Sequence, residues 1–142
     1  MARASGSILV GTDGSERAER AVDRAGEIAK LLGVKVHVVS AYSKASDSLL
    51  AASGHEEKER RTRAGHYADR AQRRLARIGV ESETHVWPGE PADALVRVAD
   101  EQKAQMVVVG NRGMARARRV LGSVPNRVSH HSPCDVLIVT TD

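Results

Sequence analysis

The sequence predicts an α/β fold: an open, doubly wound, mostly parallel sheet covered by helices on both faces, in one domain over residues 1–142. Three observations carry the prediction. Three short apolar runs (Ile8-Leu9-Val10-Gly11, Met106-Val107-Val108-Val109 and Val136-Leu137-Ile138-Val139) are continuous, not alternating, as in strands buried on both faces. Segments with apolar residues at three- and four-residue spacing separate the strand-like runs, and such alternation calls for right-handed crossovers. Finally, 142 residues with 41% hydrophobic and 28% charged side chains suit a single core. Aromatics are only 2% (Trp87, Tyr42, Tyr67, no Phe), so that core must be built from Val, Leu, Ile and Ala.

In chain order, the first strand is Ile8 to Gly11. A helix follows, with Ser15 as N-cap, a stripe of Ala18, Ala21, Val22, Ala25, Ile28, Ala29 and Leu32, and Gly33 just past its end. Val34 to Val39 reads as the second strand. About Ser43 to His55 is an irregular connection. The second helix carries Ala64, Tyr67, Ala68, Ala71, Leu75 and Ile78 and stops at Gly79; Glu81 to Trp87 is polar enough to be an edge strand. Pro91 suits the first turn of a third helix bearing Ala94, Leu95, Val98 and Ala99. After the Met106 run, a short helix opens with Ser123 as N-cap and stops before Pro133, and the Val136 run closes the sheet.

A single cysteine, Cys134, excludes an internal disulfide and a cysteine-rich zinc site, and reads as a small core residue. No apolar run is long enough for a signal peptide or a membrane span, so a cytoplasmic protein without membrane contact is expected. The net charge is +4, and the five arginines between Gly110 and Arg127 (Arg112, Arg116, Arg118, Arg119, Arg127) face no acid within that stretch. Nucleic acid is therefore a partner to weigh, but the lack of aromatic platforms counts against single-strand binding.

Ligands of open α/β sheets bind beyond the carboxyl ends of the strands, where the strand order reverses. Two segments fall at such ends: Gly11-Thr12-Asp13-Gly14-Ser15, and Gly110-Asn111-Arg112-Gly113 followed eight residues later by Gly122-Ser123. Glycines let backbone N–H groups approach an anion, and a helix N-terminus adds donors and a favourable dipole. The plainer reading is that these glycines form turns and Ser123 caps a helix. Asp13 likewise either accepts from a ribose or adenine group or merely shapes the turn before Gly14. Neither a G-x-x-x-x-G-K-[ST] loop nor G-x-G-x-x-G is present. His130 and His131 point about 100° apart on a helix, which suits a C-terminal dipole better than a shared metal. No serine, histidine and acid are arranged by motif as a nucleophile with its base.

Ile-Leu-Val-Gly-Thr-Asp-Gly-Ser, Gly-Asn-Arg-Gly-Met and the closing Leu-Gly-Ser-Val-Pro-Asn-Arg-Val-Ser-His-His-Ser-Pro-Cys-Asp-Val-Leu-Ile-Val together closely resemble the universal stress protein family over essentially the whole chain. The resemblance implies a Rossmann-like, adenine nucleotide alpha hydrolase-like sheet in the order 3-2-1-4-5. It also implies a homodimer through the last strand, Asp135 to Thr140. The ATP-binding branch carries G-x2-G-x9-G-[ST]; here Gly110-x2-Gly113-x8-Gly122-Ser123 is one residue shorter. Carried over, Asp13 would hold the adenine or ribose side, Ser40 and Ala41 would lie near the adenine, and Thr12 and Asn111 would also belong to the binding site. Val109 and Gly110 would meet the ribose and α-phosphate region. Arg112, Gly113, Gly122, Ser123 and Val124 would line the phosphates. The implied ligand is ATP or another adenine nucleotide, with or without Mg2+, in a regulatory module with at most weak hydrolysis. The alternatives are an interaction protein of the same fold with an empty pocket, or a nucleic-acid-associated protein.

Overall fold

The computed structural model describes residues 6–44, 54–111 and 121–141. Five strands, β1 (Ile8–Gly11), β2 (Val36–Tyr42), β3 (Ser82–Pro88), β4 (Met106–Asn111) and β5 (Asp135–Thr140), alternate with four helices, α1 (Glu16–Leu32), α2 (Gly54–Arg77), α3 (Pro91–Glu101) and α4 (Ser123–His131). All strand pairs are parallel, in the order β3-β2-β1-β4-β5. Alternate side chains divide the core between two faces. Ile8, Val10, Val36, Val38 and Val108 pack under α1 and α2 with Ala25, Ala29, Ala71 and Leu75. Leu9, Val39, Val107 and Val109 pack under α3 and α4 with Leu95, Val98 and Val128. The crossovers change face between the β2–β3 half and the β4–β5 half, so the order reverses at β1 and β4. That reversal opens a crevice above their carboxyl ends.

Local chemistry sets the helix ends. The Ser15 hydroxyl accepts from the Ala18 amide at 3.1 Å and starts α1. At its other end Gly33 turns left-handed (φ 68) while the Val34 amide donates to the Ala29 carbonyl at 3.0 Å. The same closure recurs after α2 with Gly79 (φ 80) and Val80, and after α3 with Ala104 behind Lys103, a non-glycine residue at φ 53.

Three boundaries depart from the sequence reading. β2 begins at Val36 rather than Val34, because the Val34 amide closes α1 instead of joining the sheet, and it continues to Tyr42. β3 runs from Ser82 to Pro88, with its residues half-buried or exposed as befits an edge. Ser123 is not the N-cap of α4: Gly122 holds that position with extended backbone, and no side chain caps the helix. Of the expected irregular connection, residues 45–53 lie outside the described residues, and Gly54 and His55 already belong to α2.

Several of the basic residues are used internally. Arg70 and Arg74 of α2 pair with Glu19 of α1, Arg74 also binds Asp23, and Arg127 of α4 pairs with Asp93 of α3 at 2.9 Å. Among the described residues no helix is long and apolar enough to cross a membrane.

Candidate functional site

A cavity of about 400 Å³ opens at the β1–β4 reversal, within the size range of small-molecule sites. One half is apolar: Val39 and Ala41 of β2 face Pro91 and Leu95 of α3. The other half is formed by Val109, Gly110 and Asn111 at the end of β4, Gly122, Ser123 and Val124 opening α4, and Thr141 after β5. Thr12 and Asp13 lie on the loop between the halves.

The β1–α1 loop is fixed from several sides. The Thr12 amide donates to the Val39 carbonyl at 2.9 Å, and its hydroxyl accepts from the Gly14 amide at 3.1 Å. Gly14 is left-handed (φ 83), and a Cβ there would fall 2.4 Å from the Tyr67 ring. Arg70 donates to the Gly14 carbonyl at 2.9 Å. Asp13 shapes the turn by accepting from the Ser15 amide at 3.0 Å, so the plainer of its two expected roles is present, and it also faces the cavity. Burial pushes its carboxyl up, but hydrogen bonds from the Ser15 side chain and from the Ser15 and Asp13 amides, with the charge of Arg17, hold it below its ordinary value.

On the opposite wall Asn111 is buried, at 3% exposure, and its Oδ1 accepts from the Gly122 amide at 2.8 Å. The first intrahelical bond of α4 runs from the Asn126 amide to the Gly122 carbonyl at 3.0 Å. The first-turn donors left by helix geometry are the amides of Ser123 and Val124, since Pro125 has none. They carry the positive end of the helix dipole at the cavity wall. Gly110 is required for close packing: a Cβ there would lie 2.8 Å from Thr141 Cγ2 and 3.7 Å from the Arg17 carbonyl. The Thr141 carbonyl accepts from Arg20, which ties the end of the chain to α1.

Of the residues singled out from sequence, Thr12, Asp13, Ala41, Val109, Gly110, Asn111, Gly122, Ser123 and Val124 come together here. Ser40 does not: it alternates with Val39 and Ala41, so its buried hydroxyl lies on the α1–α2 side of the sheet with no hydrogen-bond partner among the described residues. Arg112 and Gly113, with Arg116, Arg118 and Arg119, lie outside the described residues. The sequence reading missed Arg17, Pro91, Leu95 and Thr141, which also line the cavity. The doubly wound topology was a usable signal for Arg17, because it sets the first turn of α1 over the end of β4.

His37 and His85 form a second polar group, away from the cavity on the α3 side of β2 and β3. His37 Nδ1 and His85 Nε2 are 2.9 Å apart, and His37 is 1% exposed. Burial is the main cause lowering both imidazoles, and Lys35 adds to it in each; for His37 the neighbouring His85 adds more, while Glu83 opposes the shift in both and Glu101 opposes it in His85. Among the described residues no three His, Cys, Asp or Glu side chains are grouped to hold a metal ion.

The universal stress protein family model matches residues 5–140. A universal stress protein of Mycobacterium tuberculosis strain H37Rv, Rv1636, is 40% identical, with 95% of this chain and 96% of that protein covered. A universal stress protein solved in complex with cAMP is 38% identical, with a TM-score of 0.74 over 98% of this chain and 99% of that one. An Archaeoglobus fulgidus universal stress protein solved in complex with dAMP is 28% identical, with a TM-score of 0.71 over 94% and 97%.

Proposed function

Because the chain belongs to the universal stress protein family, matched over residues 5–140, we propose that it is a regulatory module which binds an adenine nucleotide in the β1–β4 cavity. The observation that carries this reading is the cavity's two-sided chemistry. An apolar slot between Val39, Ala41 and Leu95 suits a flat purine, while glycine-lined backbone and the Ser123 and Val124 amides suit phosphate oxygens. Similar proteins solved with cAMP and dAMP support adenine as the base. ATP is the form favoured by Gly110-x2-Gly113-x8-Gly122-Ser123. Asp13 is the one carboxylate among the described residues lining the cavity, and it is engaged by Ser15, so a Mg2+ ion would arrive on the phosphates. The reading includes a cytoplasmic homodimer paired through β5, whose apolar residues are half-exposed along a sheet edge.

The test is to denature freshly purified protein, identify released small molecules by mass spectrometry, and titrate the nucleotide-free chain with ATP, AMP and cAMP. A released adenine nucleotide, or saturable binding of one of the three at micromolar concentration, is expected. No release together with no binding at millimolar concentration overturns the proposal. Tight, steeply salt-dependent binding to unrelated DNA would then favour the nucleic-acid reading.

A further inference from the structure

Asp13 and Arg17 are the only charged residues among those described that line the cavity, and they carry opposite signs. Four other cations of α1 and α2 have internal roles. Arg20 holds the Thr141 carbonyl, Arg24 pairs with Glu27, and Arg70 and Arg74 bind acids of α1. Among the described residues no such ion pair is found for Arg17, whose charge acts on Asp13. Its place in the fold is equally specific. The Arg17 carbonyl lies 3.7 Å from where a Gly110 side chain would begin, which sets its helical turn over the end of β4. The residue therefore belongs to the half of the cavity that holds Gly110, Ser123 and Thr141, opposite the apolar slot.

We propose that Arg17 is the side chain that takes the phosphate of the bound nucleotide, and that the Asp13–Arg17 pair sets the direction in which the ligand lies. This rests on the adenine-nucleotide reading above and adds to it a specificity: a nucleoside carrying a 5′-phosphate over the same nucleoside without one. A carboxylate accepts hydrogen bonds from ribose hydroxyls and repels phosphate, whereas a guanidinium presents a fork of donors matched to phosphate oxygens. With the purine in the Val39–Leu95 slot, the sugar meets Asp13 and the phosphate meets Arg17 and the amides of α4. The reverse orientation would set phosphate against Asp13.

The experiment is calorimetric titration of the wild type, Arg17→Gln and Arg17→Lys with AMP and with adenosine. Thermal unfolding serves as the check on folding, which should stay at the wild-type value because Arg17 is exposed and has no ion pair among the described residues. Arg17→Gln is expected to weaken AMP about 10-fold or more while leaving adenosine unchanged, the loss of a hydrogen bond to a charged group. Arg17→Lys should recover part of that loss. The proposal is overturned if Arg17→Gln binds AMP within about 2-fold of wild type, or weakens AMP and adenosine equally. If the wild type binds neither compound, the nucleotide reading itself falls, a result distinct from either of these.

Discussion

Replacing Gly122 by alanine separates the nucleotide site from the fold. Gly122 has φ −67 and ψ 171, a conformation open to any residue. A Cβ there would meet Asn111 Oδ1 at 3.4 Å and Pro125 Cδ at 3.7 Å, both ordinary contacts. Alanine is a poorer N-cap than glycine, by about 0.5–1 kcal/mol, but it removes unfolded-state freedom worth about 0.4–1 kcal/mol. The two nearly cancel, so Tm should move by no more than about 3 °C. Binding should respond differently. The new methyl occupies space beside the Ser123 and Val124 amides, and displacing a phosphate from one such donor forfeits about 1.5–3 kcal/mol, a loss of about 10- to 100-fold in affinity. Gly14→Ala is the opposite control. Its Cβ would overlap the Tyr67 ring at 2.4 Å on a backbone with φ 83, which should cost at least about 2 kcal/mol. Circular dichroism melts and calorimetric titration with AMP and ATP read both variants. The reasoning is refuted if Gly122→Ala binds as tightly as wild type, or if it melts as early as Gly14→Ala.

Two further outcomes follow from features outside the pocket. The lowered imidazoles of His37 and His85 mean that the unfolded chain takes up protons before the folded one does. The stability they preserve is complete above the ordinary histidine value of 6.5 and declines as pH falls below it. Urea midpoints between pH 7.5 and 5 should therefore drop for the wild type and drop less for a His37→Val/His85→Val double variant; equal slopes would show that the pair is not responsible. For the β5 edge, light scattering at micromolar concentration should give the mass of a dimer, and Leu137→Lys should shift the protein toward monomer or insolubility. A clean wild-type monomer ends that proposal.

Much of the architecture was readable because it depends on local chemistry. Continuous apolar runs marked β1 and β4 as central strands, but the Val136 run, expected to be buried on both faces, is the edge strand β5 with half-buried residues. Ser15 and Gly33 marked both ends of α1, and Pro91 marked the start of α3. The strand order came from the family resemblance and not from periodicity, which says nothing about which strands are neighbours. The misses share a cause, since each depends on residues distant in sequence. Val34 looks like strand, but its amide is taken by Ala29. Ser40 has the right strand and the wrong face, because parity was not tied to a register with β1 and β3. Asn111 lines the cavity as expected, but that its Oδ1 also holds the Gly122 amide was not legible in the sequence. Thr141 and Arg17 reach the cavity only because α1 lies across the ends of β4 and β5, a packing relation that no local pattern records.

The bond between Asn111 and the Gly122 amide also bears on how such a site could be altered in length. It joins the two ends of segment 112–121 directly, so the span that the intervening residues must bridge is set by one side chain and not by their number. The end of β4 and the start of α4 are thus fixed to each other by a bond that does not depend on how many residues lie between them. The same clamp holds the two walls of the cavity at a set separation.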